Sequence, residues 1–236
     1  MLRLFTGRAG TGKTAAVINE IHTAVLEKQG RRLLIVPEQY SHEAERELCR
    51  VCGDSMSLYA EVMSFTGLAR RIASQLGGGA APYLDKGGRL LCMALALDGA
   101  ASRLRVYGSA GRRAETQSAL LAAVDSLKAA GVDSEALYAA SENCPGGLGD
   151  MALILEAYDA VVANGHADPA DRLTVLAEQI LDSSMGPDDH IYVDGFIDFT
   201  FQERQVLRAL LKRGVQLTVC LTMDELHGEN EIFELS

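Results

Sequence analysis

The sequence predicts an α/β protein: a doubly wound parallel sheet with a large all-helical insertion. Three observations predict it. The chain opens with an apolar run, Leu2-Arg3-Leu4-Phe5-Thr6, that passes straight into Gly7-Arg8-Ala9-Gly10-Thr11-Gly12-Lys13-Thr14 and then into a helical stripe. Short apolar runs such as Leu33-Leu34-Ile35-Val36 follow, of the kind that a parallel sheet buries on both faces. Between Gly77 and Pro187 no convincing strand occurs, and stripes of helical period take over.

The octapeptide from Gly7 to Thr14 fits the P-loop (Walker A) pattern in full. Glycines let the backbone curl so that successive N–H groups point at phosphate oxygens, and the following helix presents its positive end. In that pattern Lys13 reaches the β- and γ-phosphates and the Thr14 hydroxyl binds magnesium. ATP and Mg are therefore the expected ligands, with Gly7, Arg8, Ala9, Gly10, Thr11, Gly12, Lys13 and Thr14 as the nucleotide-binding set. The strand before and the helix after supply the setting the motif needs.

Val17, Ile21, Ala24 and Val25 recur at helical spacing, and Gly30 stands where a C-terminal cap belongs, which predicts a helix over about 13–28. Pro37-Glu38-Gln39 ends the second strand, and Ser41 is placed to cap a helix reaching about Arg50. A third strand is expected over 58–63, then a helix through Phe65-Thr66-Gly67-Leu68-Ala69-Arg70-Arg71-Ile72. In the insertion, a helix is expected near 118–130. Met151, Ile154, Leu155, Tyr158, Val161 and Val162 form the next stripe, closed by Gly165. Asp168 is placed as a cap with Pro169 at the first helical position, and Leu173, Leu176, Ala177, Ile180 and Leu181 form another stripe. Gly77-Gly78-Gly79 and Pro145-Gly146-Gly147 read as loops. The α/β pattern resumes with His190-Ile191-Tyr192-Val193-Asp194, a strand ending in an acid. Thr200-Phe201-Gln202-Glu203 is a capping box, and Val206, Leu207, Leu210 and Leu211 share one face of its helix. Gly214 ends that helix, Val215 to Leu221 is a last strand, and the tail from Asp224 is acidic and unpatterned. The expected division is 1–76 and 188–236 for the sheet domain and 77–187 for the insertion.

At 236 residues, 48% hydrophobic and 23% charged, the chain has the composition of a soluble globular protein. It is long enough to bury roughly 70% of its unfolded surface. No apolar run approaches the roughly 20 residues that span a bilayer, and no signal peptide opens the chain, so a cytoplasmic protein without a membrane partner is expected. Five cysteines, an odd and scattered set, argue against a disulfide framework. Cys49 and Cys52 form a CxxC with no second ligand pair, which reads as two residues near a helix end. The net charge of −10 disfavours unspecific nucleic-acid binding, which basic residues drive. Arg70-Arg71 and Arg112-Arg113 are local basic pairs of the sort usually found on solvated helix faces.

In P-loop ATPases a second strand ends in an Asp that fixes the magnesium shell, usually followed by a Glu that orients water. Asp194 is the candidate metal residue with Thr14, but Gly195 follows it. Val193-Asp194-Gly195-Phe196-Ile197-Asp198 resembles the VDEFQD segment of superfamily 1 helicases of the UvrD and RecB type, with Glu replaced by Gly and Gln by Ile. Phe65-Thr66-Gly67-Leu68-Ala69-Arg70-Arg71 resembles the FHGLAxR segment of that group near its DNA path, with His replaced by Thr66. Tyr83-Leu84-Asp85 and the stretch Gly165-His166-Ala167-Asp168 resemble the helical subdomain in its first motor domain. Five ordered blocks, GRAGTGKT, IVPEQ, MSFTGLARR, DPADRL and YVDGFIDFTFQE, are together similar to the N-terminal region of the AddB (RexB) family.

That resemblance implies a RecA-like P-loop NTPase fold within the B subunit of an ATP-dependent helicase-nuclease of double-strand-break repair. It implies an AddA-type partner subunit, DNA as substrate, and a part in reading the Chi sequence. Family members continue into a second motor domain and a nuclease domain with a cysteine-held iron–sulfur cluster. This sequence matches neither part, nor the Gly-Asp-x-x-Gln coupling motif after its last strand, so the expectation is an N-terminal piece of a larger subunit. With Gly195 in place of the water-orienting Glu, ATP-Mg is expected to bind and to be hydrolysed poorly, and no catalytic residue is assigned. Asp198 and Glu203 are the nearby carboxylates that could in principle replace it, though a capping-box Glu is already engaged. Gln39, Phe65, Thr66, Arg70 and Arg71 are the candidate DNA-path residues, Phe65 as a stacking ring and the arginines as phosphate contacts. The plain alternative places Phe65 in the core and both arginines in solvent. Two competing classes stand beside this reading: a nucleotide or small-molecule kinase with a helical lid, and a structural module with a relic P-loop.

Overall fold

The computed structural model describes residues 1–53, 56–77, 82–108, 113–143 and 146–223. Gly78, Gly79, Arg112, Pro145 and the acidic tail from Asp224, all singled out above, lie outside these described residues, as does Cys144, one of the five cysteines. The chain divides into two compact units, one of Met1–Gly78 with Leu173–Ser236 and one of Gly79–Arg172.

The first unit is α/β. Its strands are β1 (Leu2–Gly7), β2 (Arg32–Ile35), β3 (Ala60–Met63), β4 (His190–Val193) and β5 (Gln216–Thr222), all parallel, in the order β1-β5-β4-β2-β3. The helices are α1 (Lys13–Leu26), α2 (Ser41–Cys52), the single turn α3 (Met56–Tyr59), α4 (Phe65–Gln75), and, after the second unit, α9 (Arg172–Asp182) and α10 (Phe201–Lys212).

Strand periodicity sorts the core into two layers. Leu33 and Ile35 of β2, Ile191 and Val193 of β4, and Leu217 and Val219 of β5 meet Leu68 and Ile72 of α4, Leu176 and Ile180 of α9, and Val206 and Leu210 of α10. The alternate residues Leu34, Tyr192 and Cys220 face the other way, onto Val17, Ile21 and Val25 of α1 and Leu48 of α2. This is why the sequence shows strands apolar on both faces. Each such side chain taken fully out of water contributes about 1.5–3 kcal/mol.

Several ends differ from the sequence expectation, each for a local reason. Helix α1 is closed by Lys28, not Gly30: Lys28 has φ 53°, its N–H meets the Val25 carbonyl at 3.2 Å, and the Gln29 N–H meets Ala24 at 2.9 Å. That paired pattern is a Schellman closure built on a lysine. Gly30 serves a close approach, since a Cβ there would lie 3.0 Å from the Asp188 carbonyl oxygen. Ser41 does not cap α2. A tight turn over Glu38–Tyr40 precedes the helix, and the Ser41 hydroxyl donates to the Glu38 carbonyl at 2.7 Å. The expected strand from residue 58 starts at Ala60, because α3 takes the residues before it. Asp168 caps only a three-residue turn, Pro169–Asp171, by accepting the Ala170 N–H at 3.0 Å. The capping box is as expected: the Glu203 N–H donates to Thr200 Oγ1 at 3.2 Å and the Thr200 N–H to the Glu203 carboxylate at 2.8 Å. Cys49 and Cys52 both lie in α2, and Cys49, Cys52, Cys92 and Cys220 are unbridged. No helix among the described residues is long and apolar enough to cross a membrane.

The second unit is helical: α5 (Lys86–Ala100), α6 (Ala114–Ala130), α7 (Ser134–Asn143) and α8 (Leu148–Val162). Asp85 caps α5 by accepting the Gly88 N–H at 2.7 Å. Met93, Leu97, Val124, Ile154, Leu155 and Tyr158 centre its own core. Leu91 and Leu95 of α5 stay exposed, which blurs the apolar stripe of that helix in the sequence. Asp168, 2% exposed, is held among Arg89 Nε at 2.9 Å, Lys128 Nζ at 3.4 Å and the Ala170 N–H. Burial works to raise its pKa, but that N–H and the two cations prevail and hold the carboxyl below its usual range. Lys128 also meets Asp171 at 2.6 Å and Asp159 at 2.7 Å, and Arg89 meets Asp125. Asp150 accepts three successive N–H groups, from Arg105, Val106 and Tyr107, at 2.6–3.0 Å.

His190, at the start of β4, stacks on Tyr192 with centroids 4.2 Å apart and lies 2.8 Å from Thr218 Oγ1. Burial first, then Arg32 and Arg3, push its pKa down from 6.5 to about 4. The folded chain therefore keeps it neutral where the unfolded chain would protonate it. Its contribution is complete above about pH 6.5 and is lost as pH falls toward 4. Denaturant titrations at pH 7 and 4.5 should show a loss of roughly 1–2 kcal/mol that His190→Gln removes, the figure allowing for partial solvent screening.

Candidate functional site

The residues from Gly7 to Thr14 join the end of β1 to the start of α1. Gly12 occupies the N-cap position with φ 87°, left-handed backbone that a side chain would strain. No side chain caps this helix start, so the first N–H groups of α1 have no such partner and face the loop. The Thr11 hydroxyl donates to the Arg8 carbonyl at 2.8 Å, and Lys13 Nζ donates to the carbonyls of Gly7 at 2.6 Å and Arg8 at 2.9 Å. The lysine is thus laid back along the loop, its charge at the concave side.

A cleft of about 540 Å³ runs along this loop. Besides residues 9–14 it is lined by Glu47 of α2, Asp194 and Gly195 just past β4, and Cys220 and Thr222 of β5. A second cleft of about 870 Å³ shares Thr14, Ile18, Glu47, Asp194 and Gly195 with the first and extends under α2. Both are within the size of small-ligand sites. The structure therefore brings Thr14 and Asp194, far apart in sequence, to one cleft.

Asp194 is 8% exposed, and its N–H continues the sheet by donating to the Ile35 carbonyl at 3.0 Å. With the Cys220 thiol it lines the same cleft. Burial, and then Asp194, push that thiol up to about 12, so it stays protonated. Gly195 has φ 82°, and a Cβ there would stand 3.3 Å from Pro37 Cδ. Position 195 is thus shaped for glycine by its backbone as well as by its neighbour. Of the two nearby carboxylates, Glu203 is engaged in its capping box, and Asp198 accepts the Phe199 N–H at 2.6 Å.

The residues considered for a DNA path are placed unevenly. Gln39 is exposed in the turn before α2, and Thr66 lies in the first turn of α4. Arg70 is largely exposed, with its guanidinium 3.7 Å from Glu38, whereas Arg71 is ion-paired with Glu61. Phe65 is 4% exposed and packs edge-to-face on Phe196 with centroids 5.4 Å apart. The stacking role open to it in the sequence is not available in this conformation, because its ring closes the core beneath α4. Sequence reasoning missed Glu47 and Cys220. Neither belongs to a motif, and only the strand order and the packing of α2 bring them to the loop.

Comparison with known proteins agrees with the ordered blocks of the sequence. The family described as "ADDB, N-terminal" matches residues 4–236. The B subunit of the ATP-dependent helicase/deoxyribonuclease of Desulforudis audaxviator is 34% identical, over 99% of this chain and 21% of its own length. The proteins of the same name from Acetivibrio thermocellus and Clostridium acetobutylicum are each 29% identical, over 97% and 100% of this chain and 20% and 21% of theirs. The chain spans about a fifth of the length of the curated relatives it matches. With the match running through the glycine-rich loop, the Asp194 block and the helical unit alike, this chain belongs to the AddB N-terminal family.

Proposed function

We propose that this chain is an ATP-Mg-binding, P-loop NTPase domain of RecA-like type that serves the B subunit of a helicase-nuclease in DNA double-strand-break repair. The observation that carries the reading is the meeting of Thr14, at the start of α1, with Asp194, at the end of β4, in the cleft along the Gly7–Thr14 loop. The donor set fits the ligand: helix N–H groups and an ammonium for phosphate, a hydroxyl and a carboxylate for magnesium. Magnesium bound there would neutralise phosphate charge; the chain's part is to hold it from Thr14 and Asp194 and to aim Lys13 at the phosphates. Lys13 must turn from the carbonyls of Gly7 and Arg8 to do so.

Hydrolysis by this site is slow in our reading, since Gly195 supplies no carboxylate and neither Asp198 nor Glu203 is among the described residues that line the cleft. Such a group is ordinarily worth about 10²–10⁴ in rate. The motor role then falls to an AddA-type partner in a cytoplasmic complex on DNA. The relatives are named as B subunits, which supports a partner. Gln39, on the turn that follows β2, and Thr66 and Arg70, on helix α4 after β3, would contribute to the DNA path and to Chi reading in that complex.

Calorimetry should show ATP-Mg binding that Lys13→Ala weakens by about ten- to a hundredfold, the worth of a charge-assisted contact; no binding up to millimolar ATP would make the loop a relic. In the assembled complex with the partner's P-loop lysine removed, turnover should stay below about 1 s⁻¹. Gly195→Glu should cost about 1–2 kcal/mol in stability, from left-handed backbone, without restoring turnover. Arg70→Ala in the complex should weaken DNA binding alike for all sequences and lower the salt slope by about one, read by titration at several salt concentrations.

A further inference from the structure

We propose that Glu47, on α2, takes the place of the carboxylate that position 195 lacks and orients the water for what turnover this site performs. The inference rests on nucleotide being held at the Gly7–Thr14 loop. Among the described residues lining the cleft along that loop, Glu47 and Asp194 are the two carboxylates. Glu47 also lines the adjoining cleft, again with Thr14, Asp194 and Gly195. It lines both spaces together with Thr14 and Asp194, the two residues that would hold magnesium.

Its carboxylate is oriented. Arg50, one turn on along α2, donates Nε to Oε2 at 2.8 Å and its terminal nitrogen to Oε1 at 2.6 Å. Each oxygen keeps lone-pair capacity for a water. The Arg50 hydrogen bond also holds the carboxyl below its usual range, so it is ionised and acceptor-only at neutral pH. The backbone carrying it is fixed, because the next residue, Leu48, is fully buried in the core beneath α2. The Glu47 side chain itself is 42% exposed, open to the water it would orient.

In the step this assigns, the water oxygen bonds to the γ-phosphorus while the bond from that phosphorus to the β,γ-bridging oxygen breaks, its electron pair leaving with ADP. The proton of the water passes to Glu47 and from it to the released phosphate. A carboxylate brought from a separate helix is less closely set than one adjoining Asp194 in the chain, which agrees with slow rather than absent turnover.

The test uses the full-length subunit in its complex, with the partner's P-loop lysine removed, and reads both turnover and ATP-Mg affinity. Glu47→Gln should lower kcat at least tenfold while the calorimetric Kd stays within twofold, and Glu47→Asp should fall between the two. Unchanged kcat in Glu47→Gln, an equal loss of affinity and rate, or no detectable turnover in the unsubstituted complex would each overturn the assignment. If Lys13→Ala leaves ATP-Mg affinity unchanged, the nucleotide site is elsewhere and the role of Glu47 falls with it.

Discussion

Every strand of the sheet runs in the same direction, and the rest of the sheet unit depends on that constraint. Parallel neighbours cannot be joined by a tight turn, so each connection carries the chain back across the sheet, here through helices on both faces. All strand ends therefore collect at one edge: Gly7, Ile35, Met63, Val193 and Thr222. Along β2, β4 and β5, alternate apolar residues are taken by the two helical layers, and the polar side chains His190 and Thr218 pair with each other there. The first residues past each end escape that requirement. The loop after Gly7, Ser64 after β3 and Asp194 after β4 stand there for this reason, at the edge where ligands of open α/β sheets bind.

The sheet unit was legible wherever a single periodicity governed a stretch. Leu33 to Val36 and His190 to Val193 announce buried strands, and the Thr200 box with Val206 and Leu210 announces α10. The helix ends were harder, because a cap depends on one backbone conformation that several residue types adopt. Lys28 closes α1 although Gly30 looked the better residue. The glycine-rich loop between β1 and α1 was legible because its residues adjoin one another. Glu47 and Cys220 were not, since their approach to the loop follows from the order β1-β5-β4-β2-β3, which no local pattern records. Phe65 was ambiguous for a related reason: an aromatic ring at a strand end suits a core and a ligand face equally, and only its packing on Phe196 decides.

The helical unit poses a different problem, the burial of charge. Arg89, Lys128 and Asp168 would be costly to desolvate singly, and each is accepted because the others are beside it. Asp168 joins α5 and α6 to the turn before α9 through these contacts. A network of this kind adds little net stability over an apolar core, but it accepts few alternative arrangements of its partners. Asp150 does the same for a loop, fixing three consecutive N–H groups that no helix or strand would satisfy.

The cores of the two units share no residue. The sheet layers draw on residues before 73 and after 172, and the helical core on residues from 84 to 162. Helices α4 and α9, which flank the helical unit in the chain, are both anchored in the same layer of the sheet core through Ile72 and Leu176. The chain thus leaves one cooperative assembly and returns to it, with a second assembly strung between. Cores that share no residue can open at different free energies, and hydrogen exchange, read amide by amide, reports on each of them.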